Sequence, residues 1–319
     1  MTAKRLPNLI IPGAMKAGTT SLAATLECHP EVFVIPIKEP MFFAQRPQSA
    51  EKLNELLSPD AASYDSVTPH STNDYLEQSA FEAAFRPGEH ARYRVDASTM
   101  YLQSPDAIRL AREMVPDSKF IAVLRNPYAR AYSAYQYQQS RGRAAADSFE
   151  EAIAHERSGA RDNWAYGWRH LYSSLYASQI ERLFQAVPEE DRLVVLLEDI
   201  IGEGGMDRIY DFLGLDTHRI DLRFENETVL PSGKAKEMGA KLLNDARIGR
   251  SIRKFLPQSA IGPLRSVVGG LRKQVYKGGN KPGKISAEHS ALLASDIEPD
   301  IDRLETLLGR DLSHWRHQD

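Results

Sequence analysis

The sequence predicts an α/β protein, a P-loop-like parallel β-sheet flanked by helices on both faces, with a helical C-terminal part. Three observations predict it. Short apolar runs alternate with segments of helical pattern, a glycine-rich turn follows the first apolar run, and an arginine follows the fourth. Such alternation is typical of βαβ units, whose strands are buried on both faces. The chain has 319 residues, 42% hydrophobic and 26% charged, which is enough to build a large core.

The elements follow one another along the chain. Apolar runs predict strands at residues 9–11, 32–35, 93–95, 120–124 and 193–197. Helical patterns predict helices at residues 20–26, 105–114, 127–140, 171–186 and 199–213, the last closed by Gly214. No internal repeat, low-complexity tract or linker interrupts this series, so we predict a single domain over residues 1–319.

The glycine-rich turn, residues 13–21, reads Gly-Ala-Met-Lys-Ala-Gly-Thr-Thr-Ser. A strand leading through such a turn into a helix directs backbone N–H groups and the positive helix end at an anion. Nucleotide hydrolases place a lysine directly after the second glycine. Here Thr19 takes that position and Lys16 lies inside the turn, which argues against ATP and for a smaller activated anion. The alternative is a plain strand–turn–helix connection.

A second cation follows the fourth strand, where Arg125 precedes Asn126 and Pro127. Ligands of doubly wound sheets bind beyond the carboxyl ends of the strands, and the guanidinium fork matches phosphate oxygens. Ser133 lies about two helical turns further on and can add a hydroxyl to the same anion. The alternatives are a surface ion pair for Arg125 and an ordinary helix serine. A nucleotide hydrolase needs an acidic strand end for Mg²⁺; the best one here, residues 198–199, we interpret as a helix cap.

Residues 38–43, just past the second strand, read Lys-Glu-Pro-Met-Phe-Phe. The proline favours an extended conformation at Glu39. A glutamate at this place can accept a proton from a hydroxyl or amine, and the phenylalanines offer it an apolar wall. The alternative is a charged pair on a loop.

Together these segments resemble the sulfotransferases that use 3′-phosphoadenosine 5′-phosphosulfate (PAPS), in particular the heparan-sulfate branch and its bacterial relatives. Residues 13–22 resemble the 5′-phosphosulfate loop, residues 38–43 the family's Lys-Glu-Pro-x-Phe-Phe, and residues 123–133 the 3′-phosphate motif. Weaker likeness continues through residues 175–180 and 308–315, so the resemblance covers nearly the whole chain.

The resemblance implies in-line transfer of a sulfuryl group from PAPS to a hydroxyl or amine, without a metal ion and with adenosine 3′,5′-bisphosphate as product. Lys16 would stabilise the leaving phosphate, Glu39 would be the general base, and Lys38 would contact the sulfuryl group or the acceptor. The implied donor-binding residues are Lys16, Ala17, Gly18, Thr19, Thr20, Ser21, Arg125 and Ser133. The implied acceptor-binding residues are Lys38, Glu39, Phe42, Asp96 and Ser98.

Two departures from the family pattern bear on the acceptor and the donor. The family's Glu-Lys-[Ser/Thr]-x-x-Tyr is Asp-Ala-Ser-Thr-Met-Tyr at residues 96–101, and the absent lysine counts against a heavily anionic polysaccharide acceptor. Saccharide, glycolipid and small-molecule acceptors stay open. The chain has one cysteine, so the disulfide-flanked loop of the Golgi relatives is absent. In its place Gly233, Lys234 and Lys236 would cover the 3′-phosphate, or form a solvated basic turn.

Two further segments allow more than one interpretation. Residues 246–284 carry ten Lys or Arg and no Asp or Glu, which fits a peripheral contact with an anionic membrane, a mobile lid, or a solvated face. An aromatic-rich turn, made of Trp164, Tyr166, Trp168 and His170, either stacks on a ligand or packs in the interior.

The remaining expectations concern location and partners. With no signal peptide, no apolar run of membrane-spanning length and no nucleic-acid motif, we predict a soluble, cytoplasmic protein that binds no nucleic acid. The rival interpretations are an ATP-dependent, kinase-like phosphotransferase and a non-catalytic nucleotide-binding protein. The oligomeric state stays open.

Overall fold

The structure, a computed structural model, describes residues 6–37, 39–44, 78–140, 146–162, 166–201, 204–216 and 283–316. Five strands form one sheet in the order β2-β3-β1-β4-β5, and each neighbouring pair is parallel. The strands are β1 (Leu9–Ile10), β2 (Val32–Val34), β3 (Tyr93–Asp96), β4 (Lys119–Leu124) and β5 (Arg192–Leu196). The predicted α/β class is confirmed.

The central strand of the sheet is β1. Its Ile10 pairs with Asp96 of β3 on one side and with Phe120 of β4 on the other. The chain therefore leaves β1 toward one half of the sheet and enters the other half only at β4. In a doubly wound sheet a crevice opens at such a switch point, beyond the carboxyl ends of the strands. The glycine-rich turn that follows β1 lies at this crevice.

Helices connect and cover the strands. They are α1 (Thr19–Leu26), α2 (Gln78–Ala84), α3 (Ala107–Met114), α4 (Pro127–Ser140), α5 (Phe149–Arg157), α6 (Ala177–Ala186), α7 (Leu197–Ile200), α8 (Asp207–Leu213) and α9 (Ala287–Leu308). The long α9 packs against α4, α5 and α6. Its buried residues recur every three or four positions, at Leu293, Ile297, Ile301 and Leu304, so one helical face is apolar. This element is the predicted helical C-terminal part.

The helix predicted at residues 171–186 is shorter in the structure. Tyr172–Ser174 forms a 3₁₀ turn, Leu175 is extended with ψ 93°, and α6 begins only at Ala177. The carboxylate of Asp300 on α9 accepts the N–H groups of Tyr176 and Ala177, the latter at 3.1 Å. A tertiary contact therefore fixes where this helix begins.

The helix predicted at residues 199–213 is two helices, α7 and α8. Between them Gly204 has φ 72°, a left-handed conformation that ends regular helix. The predicted closure is confirmed, since Gly214 is the C-cap of α8 with φ 58°.

The core lies on both faces of the sheet. Residues 120–124 of β4 are 0% exposed, as expected for a central strand covered by helices on each side. None of the described helices is long and apolar enough to cross a membrane.

Candidate active site

The turn after β1 is held firmly by its neighbours. The N–H of Ala14 donates to the carbonyl of Val123 at 2.7 Å, and the N–H of Val123 donates to the carbonyl of Gly13 at 2.8 Å. These bonds continue the pairing of β1 with β4 beyond the strand itself. On the other side the N–H of Leu102 donates to the carbonyl of Pro12 at 2.8 Å. The turn is thus preorganised by backbone bonds to both neighbouring segments.

Gly18 ends the turn in a conformation that favours glycine. Its φ is 88°, and a Cβ built there would lie 2.6 Å from Cδ1 of Leu197. Gly18 is also the N-cap of α1, and no acidic residue lies in the first turn of that helix. The first N–H groups of a helix have no intrahelical acceptor and carry the positive end of the dipole. Residues 18–21 are therefore placed to receive an anion.

The structure brings Arg125 to the backbone of Lys16, the two residues whose cationic side chains the sequence assigned to anion binding. A guanidinium nitrogen of Arg125, which follows β4, donates to the backbone carbonyl of Lys16 at 3.1 Å. Lys16 has φ 70°, and its ammonium nitrogen lies 4.6 Å from the centroid of the Tyr137 ring. The Arg125 guanidinium and the turn that carries Lys16 thus meet at the switch point of the sheet.

Burial makes the charge of Arg125 costly. The loss of solvent lowers the pKa of its guanidinium, an effect opposed by the nearby Tyr176 and Glu198. The hydroxyl of Tyr176 donates to the backbone carbonyl of Arg125 at 3.0 Å. A bound anion would restore the electrostatic stabilisation that this cation loses on burial.

The third predicted member of the anion site is Ser133 on α4, which is partly exposed. Tyr137 lies four residues later and therefore on the same helical face. Because the Tyr137 ring contacts Lys16, this face of α4 is turned toward the glycine-rich turn. The sequence analysis missed Tyr137; its spacing of one helical turn from Ser133 was the available signal.

A shallow cleft adjoins Arg125 and is bordered by the C-terminal segment. The indole N–H of Trp315 donates to Glu198 at 2.7 Å, and the side-chain amide of Asn126 donates to the carbonyl of Trp315 at 2.9 Å. The predicted helix cap is confirmed for Asp199, which accepts the N–H of Leu196 at 3.1 Å. The cleft is lined by Arg125, Asn126, Leu197, Glu198, Ile201, His314 and Trp315.

Glu39 lies beside the segment that follows β3. One carboxylate oxygen accepts the N–H of Thr99 at 2.8 Å and its hydroxyl at 3.0 Å. The expected extended conformation is not found, since the φ of Glu39 is 55° and that of Met41 is 52°. Hydrogen bonds from the end of β3 override the local preference that Pro40 imposes.

Asp96 and Ser98 were expected to contact the acceptor, but both side chains are 0% exposed. Asp96 accepts hydrogen bonds from the hydroxyls of Ser98 at 2.6 Å and Tyr101 at 2.7 Å. Burial raises the pKa of Asp96 to about 6, and these two hydrogen bonds oppose the rise. In this structure the two residues hold other residues in place and do not border the cleft.

Phe42 was also expected to contact the acceptor, and it is 2% exposed. Its ring stacks on Phe81 with centroids 4.2 Å apart and contacts Phe43 edge to face. It is therefore part of the apolar core beneath Glu39. Trp168 of the aromatic-rich turn is 1% exposed and packs with Met41 and Met100, so the packing interpretation holds for this residue.

Several predicted residues lie outside the described part of the chain. They are Lys38, Trp164, Gly233, Lys234, Lys236 and all but the last two positions of residues 246–284. Among the residues that the structure does describe, no group of three or more His, Cys, Asp or Glu side chains is placed to hold a metal ion.

A parallel sheet whose first strand leads through a glycine-rich turn into a helix, with Arg125 beside that turn at the switch point, is typical of α/β proteins of the P-loop-like class. The chain belongs to the sulfotransferase family, whose sequence model matches residues 7–219. The resemblance stated from the motifs is confirmed.

Curated relatives agree with this assignment. Bifunctional heparan sulfate N-deacetylase/N-sulfotransferase 3 of Mus musculus is 28% identical over 224 residues, which are 68% of this chain and 23% of the relative. Heparan sulfate glucosamine 3-O-sulfotransferase 6 of Homo sapiens is 26% identical over 223 residues, 69% of this chain and 56% of the relative. The match thus spans less than two thirds of either relative. Family and relatives support sulfuryl transfer as the class of reaction.

A solved structure shares the fold. The sulfotransferase from Alicyclobacillus acidocaldarius superposes with a TM-score of 0.65 at 24% identity, and the alignment covers 98% of this chain and 99% of that one.

Proposed function

We propose that this chain is a PAPS-dependent sulfotransferase that acts on a hydroxyl or amine of a saccharide, glycolipid or small-molecule acceptor. One observation carries the proposal: the Arg125 guanidinium, just past the end of β4, contacts the backbone of Lys16 in the turn that leads from β1 to the N-terminus of α1. A donor that carries anionic groups at two separate positions matches cationic side chains that come from two neighbouring strand ends.

The residues present fit such a donor. The first turn of α1 offers N–H groups and the Thr19–Ser21 hydroxyls to a phosphate. Arg125 and Ser133 would hold the second phosphate, on the ribose, because a guanidinium fork and a hydroxyl both donate to phosphate oxygens. When bound, PAPS supplies an activated sulfuryl group on a phosphate leaving group.

Lys16 is proposed to stabilise the charge that develops on the leaving phosphate. Its backbone carbonyl accepts a hydrogen bond from Arg125 at 3.1 Å, and its ammonium nitrogen lies 4.6 Å from the centroid of the Tyr137 ring. A cation held near the breaking bond lowers the barrier most where charge grows in the transition state.

Glu39 is proposed to accept the proton of the acceptor. The hydrogen bonds from Thr99 fix the position of the carboxylate, and an ionised carboxylate is the form that a base requires. Loss of the proton from a hydroxyl or amine as the new bond forms makes that atom a better nucleophile.

The relatives and one substitution support a class of acceptor. Heparan sulfate appears in the names of the relatives, which makes a saccharide a natural candidate. Ala97 stands where the family pattern places a lysine, which favours an acceptor of low negative charge.

Two measurements test the proposal. Calorimetry is expected to show binding of adenosine 3′,5′-bisphosphate without added metal, and no comparable binding of ATP with Mg²⁺. Incubation with radiolabelled PAPS and an extract of the source cells is expected to label one class of product. Tight binding of ATP with Mg²⁺ and none of the bisphosphate would instead support the phosphotransferase.

A further inference from the structure

One buried carboxylate holds the backbone that follows Glu39. Asp96 accepts the hydroxyls of Ser98 and Tyr101 at 2.6 Å and 2.7 Å. Each of those hydroxyl oxygens in turn accepts a backbone N–H, from Met41 at 3.1 Å and from Phe43 at 3.4 Å. Both hydroxyls donate toward the carboxylate, so their lone pairs face the N–H groups. The direction of all four bonds is set by Asp96, which when ionised only accepts.

The backbone held in this way is strained. Glu39 and Met41, on either side of Pro40, have φ values of 55° and 52°. Residues other than glycine are rare in this region, and such conformations persist only where the surroundings fix them. The bonds to the N–H groups of Met41 and Phe43 provide that constraint.

The same segment also holds the side chain of Glu39. Thr99, directly after Ser98, donates its N–H and its hydroxyl to the Glu39 carboxylate. Asp96 is the last residue of β3 and pairs with Ile10 of β1, which leads into the glycine-rich turn. The segment that holds Glu39 and the anion-binding turn therefore both begin at the carboxyl ends of the paired strands β3 and β1.

We propose that Asp96 is a positioning residue for the reaction, acting through Ser98 and Tyr101 to hold the Glu39 carboxylate in place. This inference rests on the proposed function, in which Glu39 is the base. Asp96 is 0% exposed. This role is compatible with that burial, because the side chain acts only through contacts with other residues.

Activity alone does not separate this role from a general contribution to folding, so the first test is a double-mutant cycle. The rate of label transfer from PAPS to cell extract is measured for the wild type, Ser98→Ala, Glu39→Gln and the double variant. Ser98→Ala removes one of the two hydroxyls that link Asp96 to the backbone of residues 41 and 43, and it leaves Asp96 in place. Ser118→Ala is the matched control, because Ser118 is also 0% exposed but lies at the opposite end of the sheet and donates to Val115.

We expect Ser98→Ala to lower the rate about tenfold to a hundredfold, as misplacement of a reacting group does, and Ser118→Ala to leave it unchanged. In the Glu39→Gln background Ser98→Ala should have little further effect, since the residue it positions is already gone. An equal loss in both backgrounds would overturn the positioning role. Full activity of Glu39→Gln would instead contradict the proposed function, so the two failures are distinguishable.

A second readout needs no transfer. The change that Glu39→Gln causes in the chemical shift of the Thr99 amide measures the contact between the two residues. We expect this change to shrink when Ser98→Ala or Tyr101→Phe is present, and to persist with Ser118→Ala. A change of undiminished size in both network variants would show that Asp96 does not hold Glu39. Binding of adenosine 3′,5′-bisphosphate should be the same in all these proteins.

Discussion

The guanidinium of Arg125 donates to the backbone carbonyl of Lys16 at 3.1 Å, although 109 residues separate the two in the sequence. The side chain proposed for the ribose phosphate therefore also fixes the backbone of the residue proposed for the leaving phosphate. Any shift of Arg125 is transmitted to the turn that carries Lys16.

Replacement of Lys16 by alanine should lower the transfer rate by about 10²–10³-fold, the loss found when a group that stabilises transition-state charge is removed. Binding of adenosine 3′,5′-bisphosphate should weaken as well, because that product keeps the phosphate whose charge Lys16 is proposed to stabilise. Radiolabelled transfer and calorimetry measure the two. Lys119→Ala is a matched control, since the Lys119 ammonium also lies over an aromatic ring, 4.4 Å from Phe212, but at the amino end of β4. An unchanged rate for Lys16→Ala would remove Lys16 from the mechanism.

Replacement of Arg125 by lysine should weaken binding of the bisphosphate by about 10- to 100-fold, because lysine keeps the charge but not the planar fork. The transfer rate at saturating donor should fall as well, since the bond to the Lys16 carbonyl is lost. Arg112→Lys is the control, because Arg112 pairs with Asp191 away from the site. Equal affinity of the Arg125 variant and the wild type would place the ribose phosphate elsewhere.

Two glycine substitutions distinguish the effect of backbone strain from the effect of a steric clash. Gly18→Ala and Gly309→Ala both place alanine at a left-handed position, but the added methyl meets Leu197 at 2.6 Å in the first and nothing within 4 Å in the second. We expect the free energy of unfolding to fall by about 1–2 kcal/mol in Gly309→Ala and by somewhat more in Gly18→Ala. Bisphosphate binding should be lost only in Gly18→Ala. Denaturant unfolding and calorimetry check this, and retained binding in both would show that the turn tolerates a side chain.

The buried carboxyl of Asp96 predicts a particular pH dependence of stability. Its pKa is about 6 in the folded protein against an ordinary value of 3.8, so the folded state binds the proton more tightly. As pH rises from about 4 to about 6, the stability of the wild type relative to Asp96→Asn should fall, by on the order of 3 kcal/mol, and then level off. The comparison with Asp96→Asn removes the contribution of Asp300, whose pKa is also raised to about 6 by burial. A difference that is flat over this range would contradict the burial of a titrating Asp96.

The positions of the strands were predictable because their signal is local. Each observed strand lies within one residue of its predicted bounds, since apolar runs bounded by turn residues report a buried strand directly. The break between α7 and α8 also had a local signal in Gly204 and Gly205, which the helical pattern around them obscured. The start of α6 had none, because its cap, Asp300, comes from α9.

The same distinction between local sequence signals and long-range contacts applies to the candidate site. The contact between Arg125 and the turn that carries Lys16 was predictable, because a glycine-rich turn and a strand end have fixed positions relative to a parallel sheet. The burial of Phe42, Asp96 and Ser98 was not, because it depends on contacts between segments more than 50 residues apart, such as Met41 with Ser98. The left-handed conformation of Glu39 has the same origin.

The bond from Asn126 to Trp315 has a practical consequence for handling the protein. The residue beside the proposed phosphate-binding arginine is anchored to a tryptophan that lies 189 residues further along the chain. Cleavage before Trp315, or an affinity tag inserted next to it, should therefore impair nucleotide retention. A preparation that fails to bind should have its intact mass checked before the failure is assigned to chemistry.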